Sequence, residues 1–142
     1  MTALETVHAI ELRHITKRFG KVVANDDIDL ALDRGEILSL LGENGSGKTT
    51  LMNMLSGIYF PDEGEILVEG RPAAIRSPKD AFDHGIGMIH QHFKLIDVFT
   101  AAENIVLGLH DGSRLDRREI AAKVKEISDR YGFGIDPNKK VY

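Results

Sequence analysis

The chain has 142 residues, 42% of them hydrophobic and 28% charged, with a formal net charge of −4 and no cysteine. That length is about one domain, able to bury roughly 68–70% of its unfolded surface, and the composition excludes disorder and fibrous repeats. The acidic balance argues against a nucleic-acid binder that works through a broad basic face; the missing cysteines exclude disulfides, thiolate zinc sites and thiol catalysis and fit a reducing compartment.

Val7 to Ile15 alternates in a β-like way, broken at Glu11. A turn at Phe19-Gly20-Lys21 precedes a second strand, Val22 to Leu32, with Ile28, Leu30 and Leu32 on one face. Asp33-Arg34-Gly35 is a turn signal. Glu36 to Leu41 has few polar residues and is predicted as a short strand buried on both faces. Helical content follows from Lys48 to Ser56, with Gly57 as its stop. After a turn at Pro61–Gly64, Glu65 to Glu69 and Pro72 to Ile75 are predicted as a hairpin around Gly70-Arg71. Ser77-Pro78 opens a short helix through Phe82, proline taking the first helical position. Gly85 to His90 is predicted as another short strand.

Two helices close the chain. Thr100…Glu103 and Asp116…Glu119 both have capping-box spacing. In the second helix Leu115 is placed to staple against Ile120, and Ile120, Val124, Ile127 and Tyr131 form one stripe that Gly132 ends. Residues 133 to 142 are polar and show no terminating element. No apolar run approaches the 18 residues of a membrane span, and MTALETVHAIEL lacks a signal-peptide pattern.

The chemistry is concentrated in GENGSGKTTL, residues 42 to 51. Gly42, Gly47, Lys48 and Thr49 fit G-x-x-x-x-G-K-[ST], with an apolar run before and a helix after, as the phosphate-binding mechanism requires. Gly42, Gly45 and Gly47 allow positive φ and close approach to an anion. Around them, Asn44 and Ser46 included, successive amides can form a nest. The following helix adds its free N–H groups and the positive end of its dipole. Lys48 can reach β- and γ-phosphates, and the Thr49 hydroxyl suits Mg²⁺, which takes few protein ligands.

Around this loop the sequence resembles the nucleotide-binding domain of ABC transporters, from about Ile10 to the C-terminus. LGENGSGKTTLMNMLSGIYFPDEGEI looks like that family's phosphate-loop helix and the strand after it, and GIGMIHQHFKLIDVFTAAENIVLG resembles its glutamine loop and the start of its helical subdomain. The wording IGMIHQHFKL with TAAENIVLG is most like the ATPases of simple-sugar and nucleoside importers. The resemblance implies an α/β fold of P-loop, ABC type. About residues 1–98 would be the β-subdomain and phosphate-loop core, and about 99–142 the start of the helical subdomain. It implies ATP and Mg²⁺ as cofactors, Phe19 stacking on adenine, and Thr50 meeting the α-phosphate. Lys48 and Gln91 would serve catalysis, with Thr49 and Gln91 at the metal. It also implies a membrane permease and a second ATP-binding domain as partners, no nucleic acid, and work at the cytoplasmic face of the cell membrane.

The family's signature loop, its Asp-Glu strand and its switch histidine do not occur in these 142 residues. The expectation is therefore an N-terminal part of a longer ATPase, inactive alone because it lacks groups that stabilise phosphoryl transfer, with uncovered strand edges that self-associate. Two other readings stand beside it. One is a small stand-alone kinase or GTPase-like enzyme with Asp111 as its metal acid; the other is an interaction module holding a structural phosphate. IVLGLHDG reads as helix rather than as a strand ending in that aspartate, His90 and His92 lack the third ligand of a metal site, and Arg114, Arg117 and Arg118 read as a solvated helix face.

Overall fold

A computed structural model describes residues 7–90, 95–107 and 116–141. By internal contacts it divides into two units, Met1–Ile89 and His90–Tyr142; the subdomain scheme with its boundary near residue 98 remains a proposal.

The first unit is built on an antiparallel sheet. Strands β1 (Ile10–Phe19) and β2 (Val22–Leu32) are joined by a tight turn at Gly20-Lys21, and β3 (Glu63–Val68) and β4 (Arg71–Pro72) by one at Glu69-Gly70. The order is β2-β1-β3-β4. Ile28, Leu30 and Leu32 share a half-buried face, as their spacing predicts. The second arm of the predicted hairpin is shorter than expected, because only Arg71 and Pro72 pair with β3. Ala73 keeps one bond to β3, its N–H donating to Ile66 O at 2.8 Å, and Ala73 and Ile75 both pack in the core.

Helix α1 (Lys48–Leu55) packs Leu51, Met54 and Leu55 with Leu12, Ile15 and Ile66 of the sheet. Helix α2 (Pro78–Asp83) adds Ala81 to the same core. Its N-terminus follows from the sequence: the Ser77 hydroxyl accepts from Asp80 N at 3.2 Å, beside the predicted proline.

Two predicted strands do not form. Among the described residues nothing pairs with Glu36–Leu41, and Ile37 and Leu41 are 94% and 92% exposed. An apolar strand of this kind is stable only when neighbours take both edges and both faces, and the four strands present pair with one another. Gly85–His90 is likewise without a ladder. Ile86 packs partly on the core while Ile89 stays exposed.

In the second unit α3 (Ala101–Val106) carries the full capping box: Glu103 N donates to the Thr100 hydroxyl, and Thr100 N donates to the Glu103 carboxylate. Helix α4 (Arg117–Tyr131) begins differently. Asp116 accepts from Arg118 N, and Gly132 ends the helix at φ 69. The staple residue Leu115 lies outside the described residues. The predicted stripe holds at Val124 but not at Ile127 or Tyr131, which are exposed; Ser128 is buried instead, accepting from Ile135 N at 2.8 Å. The polar tail has a destination after all. Ala101 N donates to Lys139 O and Ala102 N to Pro137 O, so the tail caps the start of α3. Arg117 is exposed, as expected of a solvated helix face, and pairs with Glu103 at 3.3 Å.

The β1–β2 ladder is interrupted between Leu12 and Ile15. His14 and Asp27 there both have left-handed backbones, at φ 54 and 50. The freed amides find side chains: His14 N donates to Asp29 and Asp27 N to the Thr16 hydroxyl. The His14 ring lies 2.8 Å from Asp27. That hydrogen bond, with the charges of Asp29 and Asp27, raises the His14 pKa, while Arg13 opposes it. A raised folded pKa means stability that is complete below the ordinary imidazole range and lost as pH rises through the folded value. Urea midpoints should therefore fall between about pH 6 and 8, and His14→Asn should flatten that slope.

Candidate functional site

The segment between Leu41 and Leu51 is bent rather than extended, with a turn at Asn44-Gly45 that leads into α1. Its closure is visible in two backbone bonds: Ser46 N donates to Glu43 O at 3.3 Å, and Leu51 N to Gly47 O at 2.9 Å. Lys48 folds back into the loop. Its ammonium donates to Gly42 O and Glu43 O, both at 2.7 Å, and to Ser46 Oγ at 3.1 Å. All three of its donors are thus held inside the backbone curve, where phosphate oxygens would lie.

Helix α1 has no side-chain cap at its start. Its first N–H groups have no intrahelical partner and add to the dipole's positive end. These are the parts of an anion site.

The glycines divide by role. Gly47 has φ 87, and a Cβ there would overlap the Ala24 carbonyl oxygen of β2. Gly42 does not need a positive φ, contrary to expectation; a Cβ there would lie 2.8 Å from Ser46 Oγ and 3.6 Å from the Lys48 ammonium. It keeps the hollow open. Asn25, on β2, donates to Gly47 O across 3.4 Å and is buried, its Oδ1 without a partner. The sequence reading missed it; among the polar residues of β2, Asn25 carries no charge to mark it apart from Asp26, Asp27 and Asp29.

Thr49 is exposed and Thr50 half-buried. The Thr49 hydroxyl is thus open to a hard cation that keeps most of its waters, the kind of donor Mg²⁺ takes. Phe19 ends β1, 41% exposed, with Tyr59 against it at 5.1 Å between ring centroids. Gln91, the other predicted metal and catalytic residue, lies outside the described residues, as do His92 and Asp111. Among the described residues no group of three or more His, Cys, Asp or Glu is placed to hold a metal.

A bent glycine loop with an inward lysine, leading into a helix start that packs on a sheet, is the arrangement of a P-loop phosphate-binding α/β protein. Residues 25–142 match the ABC transporter family, and the chain belongs to it. It is 53% identical over 135 residues to the guanosine import ATP-binding protein NupO of Bacillus subtilis (strain 168), covering 94% of this chain and 26% of that protein. To the nucleoside import ATP-binding protein NupA of Lactococcus lactis subsp. cremoris (strain MG1363) it is 51% identical, over 96% of this chain and 27% of that one. The ribose import ATP-binding protein RbsA of Yersinia pestis is 46% identical, with coverage of 91% and 26%. The chain thus spans about a quarter of these relatives' length. A nucleotide-free ATP-binding cassette from an ABC transporter superposes with a TM-score of 0.78 at 23% identity, over 94% of this chain and 57% of that one. The fold is therefore the ABC-type α/β fold, present in part, and the stand-alone kinase reading is set aside.

Substitution separates the two kinds of glycine constraint. Gly45 and Gly47 share φ 87, but a Cβ at Gly45 meets only open space. Gly45→Ala should cost about 1–3 kcal/mol for its backbone strain. Gly47→Ala should cost more, because β2 must also move away. Chemical denaturation of the two variants reads the difference.

Proposed function

We propose that this chain is the ATP-binding part of an importer ATPase, one that couples Mg-ATP binding and hydrolysis to uptake of a nucleoside or sugar. The observation that carries it is the Lys48 ammonium held by Gly42, Glu43 and Ser46 inside the loop. The relatives' import of guanosine, nucleoside and ribose supports the substrate class.

In this reading the amides of residues 42 to 50 hold the phosphates, Asn44, Gly45 and Ser46 among them, and Thr50 meets the α-phosphate. Lys48 exchanges carbonyl oxygens for phosphate oxygens, and Phe19 carries the adenine. Thr49 and Gln91 would hold Mg²⁺, which supplies charge neutralisation on the phosphates when bound. The chain alone binds without turnover; hydrolysis belongs to the whole protein, paired with a second ATP-binding domain and docked on permease subunits at the cytoplasmic face of the membrane. No helix among the described residues is long and apolar enough to cross a membrane, which fits a peripheral subunit.

Mg-ATP at 100 times its Kd should stabilise the chain by about 2.7 kcal/mol, read as a rise of several degrees in thermal unfolding. Lys48→Ala should remove most of that rise. An equal shift in wild type and variant would show that this loop does not hold the nucleotide.

The unpaired segment 36–41 makes a second expectation. Among the described residues, positions 37–41 lie outside any ladder, and Ile37 and Leu41 are exposed, the features by which edges recruit other chains. The isolated chain should therefore self-associate, its light-scattering mass rising with concentration, and Leu41→Lys should return it towards a monomer.

A further inference from the structure

We infer that Tyr59 is a positioning residue for the nucleotide base: it sets the plane of Phe19 and ties that ring to the helix that follows the phosphate loop. This rests on the reading of Phe19 as the adenine-stacking residue.

Phe19 stands at the end of a strand, and nothing in its own backbone fixes its ring. Two groups from outside do. Tyr59 meets it at 5.1 Å with an interplanar angle of 71°, and the Lys17 ammonium lies over the ring, 5.5 Å from its centroid. An edge-to-face pair prefers this separation and is orientation-dependent, while a cation over a ring restrains its tilt.

Both restraining groups are themselves anchored. Lys17 is buried, paired with Asp62 at 2.9 Å and 5.2 Å from the Phe60 centroid. Asp62 also accepts from Arg18 N at 2.6 Å, and its own N–H donates to Thr16 O at 2.9 Å. The turn carrying Tyr59 is thus fastened to β1 on both sides of Lys17. At its other end, Ile58 N and Tyr59 N both donate to Asn53 O of α1, at 2.9 and 3.2 Å. Tyr59 therefore bridges Phe19 and the far end of the helix whose first turn faces the phosphates. A ring held in place before binding spares the complex the cost of ordering that ring when the base stacks on it.

The test compares ATP with inorganic triphosphate, which lacks the base, by calorimetric titration of the purified chain. Tyr59→Leu keeps apolar bulk without the ring. It should weaken ATP about three- to tenfold, leave triphosphate unchanged, and be rescued by Tyr59→Phe. Equal weakening of ATP and triphosphate would mean Tyr59 acts through α1 and the loop, and the inference fails. Phe19→Ala separates the two levels. If it weakens ATP while Tyr59→Leu does not, only the inference falls; if Phe19→Ala leaves ATP affinity intact, the adenine reading falls and takes the inference with it.

Discussion

The rest of the molecule depends on one close approach, that of the Ala24 carbonyl of β2 to Gly47. There the antiparallel sheet touches the start of α1 with no room for a side chain between them. The contact holds the loop against a rigid strand. Further along α1, Leu51, Met54 and Leu55 are sunk into the sheet's core. A loop that must present several N–H groups to one anion needs a fixed frame at its helical end, because each misdirected amide loses its bond. The frame is apolar packing, and the site is its polar consequence.

A chain of net charge −4 that is to bind a polyanion, as proposed, must draw its attraction from local groups rather than from overall charge. Lys48 is the one side chain of the loop with a full positive charge. The rest of the field comes from backbone dipoles: the uncapped helix start and the amides of the bend. The three oxygens that hold the ammonium satisfy all its donors at once, so the lysine is oriented before any ligand arrives. Exchanging some of these oxygens for phosphate ones is an exchange of hydrogen bonds rather than a creation of them, and its driving force lies in the added charge pairing.

Local signals were legible in the sequence wherever the physics is local. The bounds of β2, the proline start of α2, the Thr100 capping box and the Gly132 stop follow from residues within four positions of each other. The bend of residues 42–50 and its inward lysine were legible for the same reason, since the lysine, glycines and helix start are contiguous. What failed depends on partners far along the chain. Glu36–Leu41 has the composition of a buried strand, yet composition cannot supply a ladder. The α4 stripe was misread because the 133–141 tail folds back to bond Ser128, a contact no periodicity announces. Asn25 and Tyr59 escaped notice since their roles arise only when β2 reaches Gly47 and the 57–62 turn reaches β1.

The last of these non-local contacts changes how the site is understood. Helix α1 has eight residues, a length of about 12 Å by its rise. The phosphate loop sits at its first turn, and Tyr59 hangs from Asn53 near its last. In the proposed reading the same helix spaces the group that would grip phosphate from the group that would orient the base-stacking ring. Asp62 strengthens this arrangement, since its bonds to Arg18 N and Lys17 hold its pKa below the ordinary carboxylate range. A lowered folded pKa means the anchor is complete above that range and weakens only as acid protonates it. Across neutral pH, then, the turn between α1 and β3 stays fastened to β1, and the two ends of the candidate nucleotide site are joined through one short helix rather than floating on separate loops.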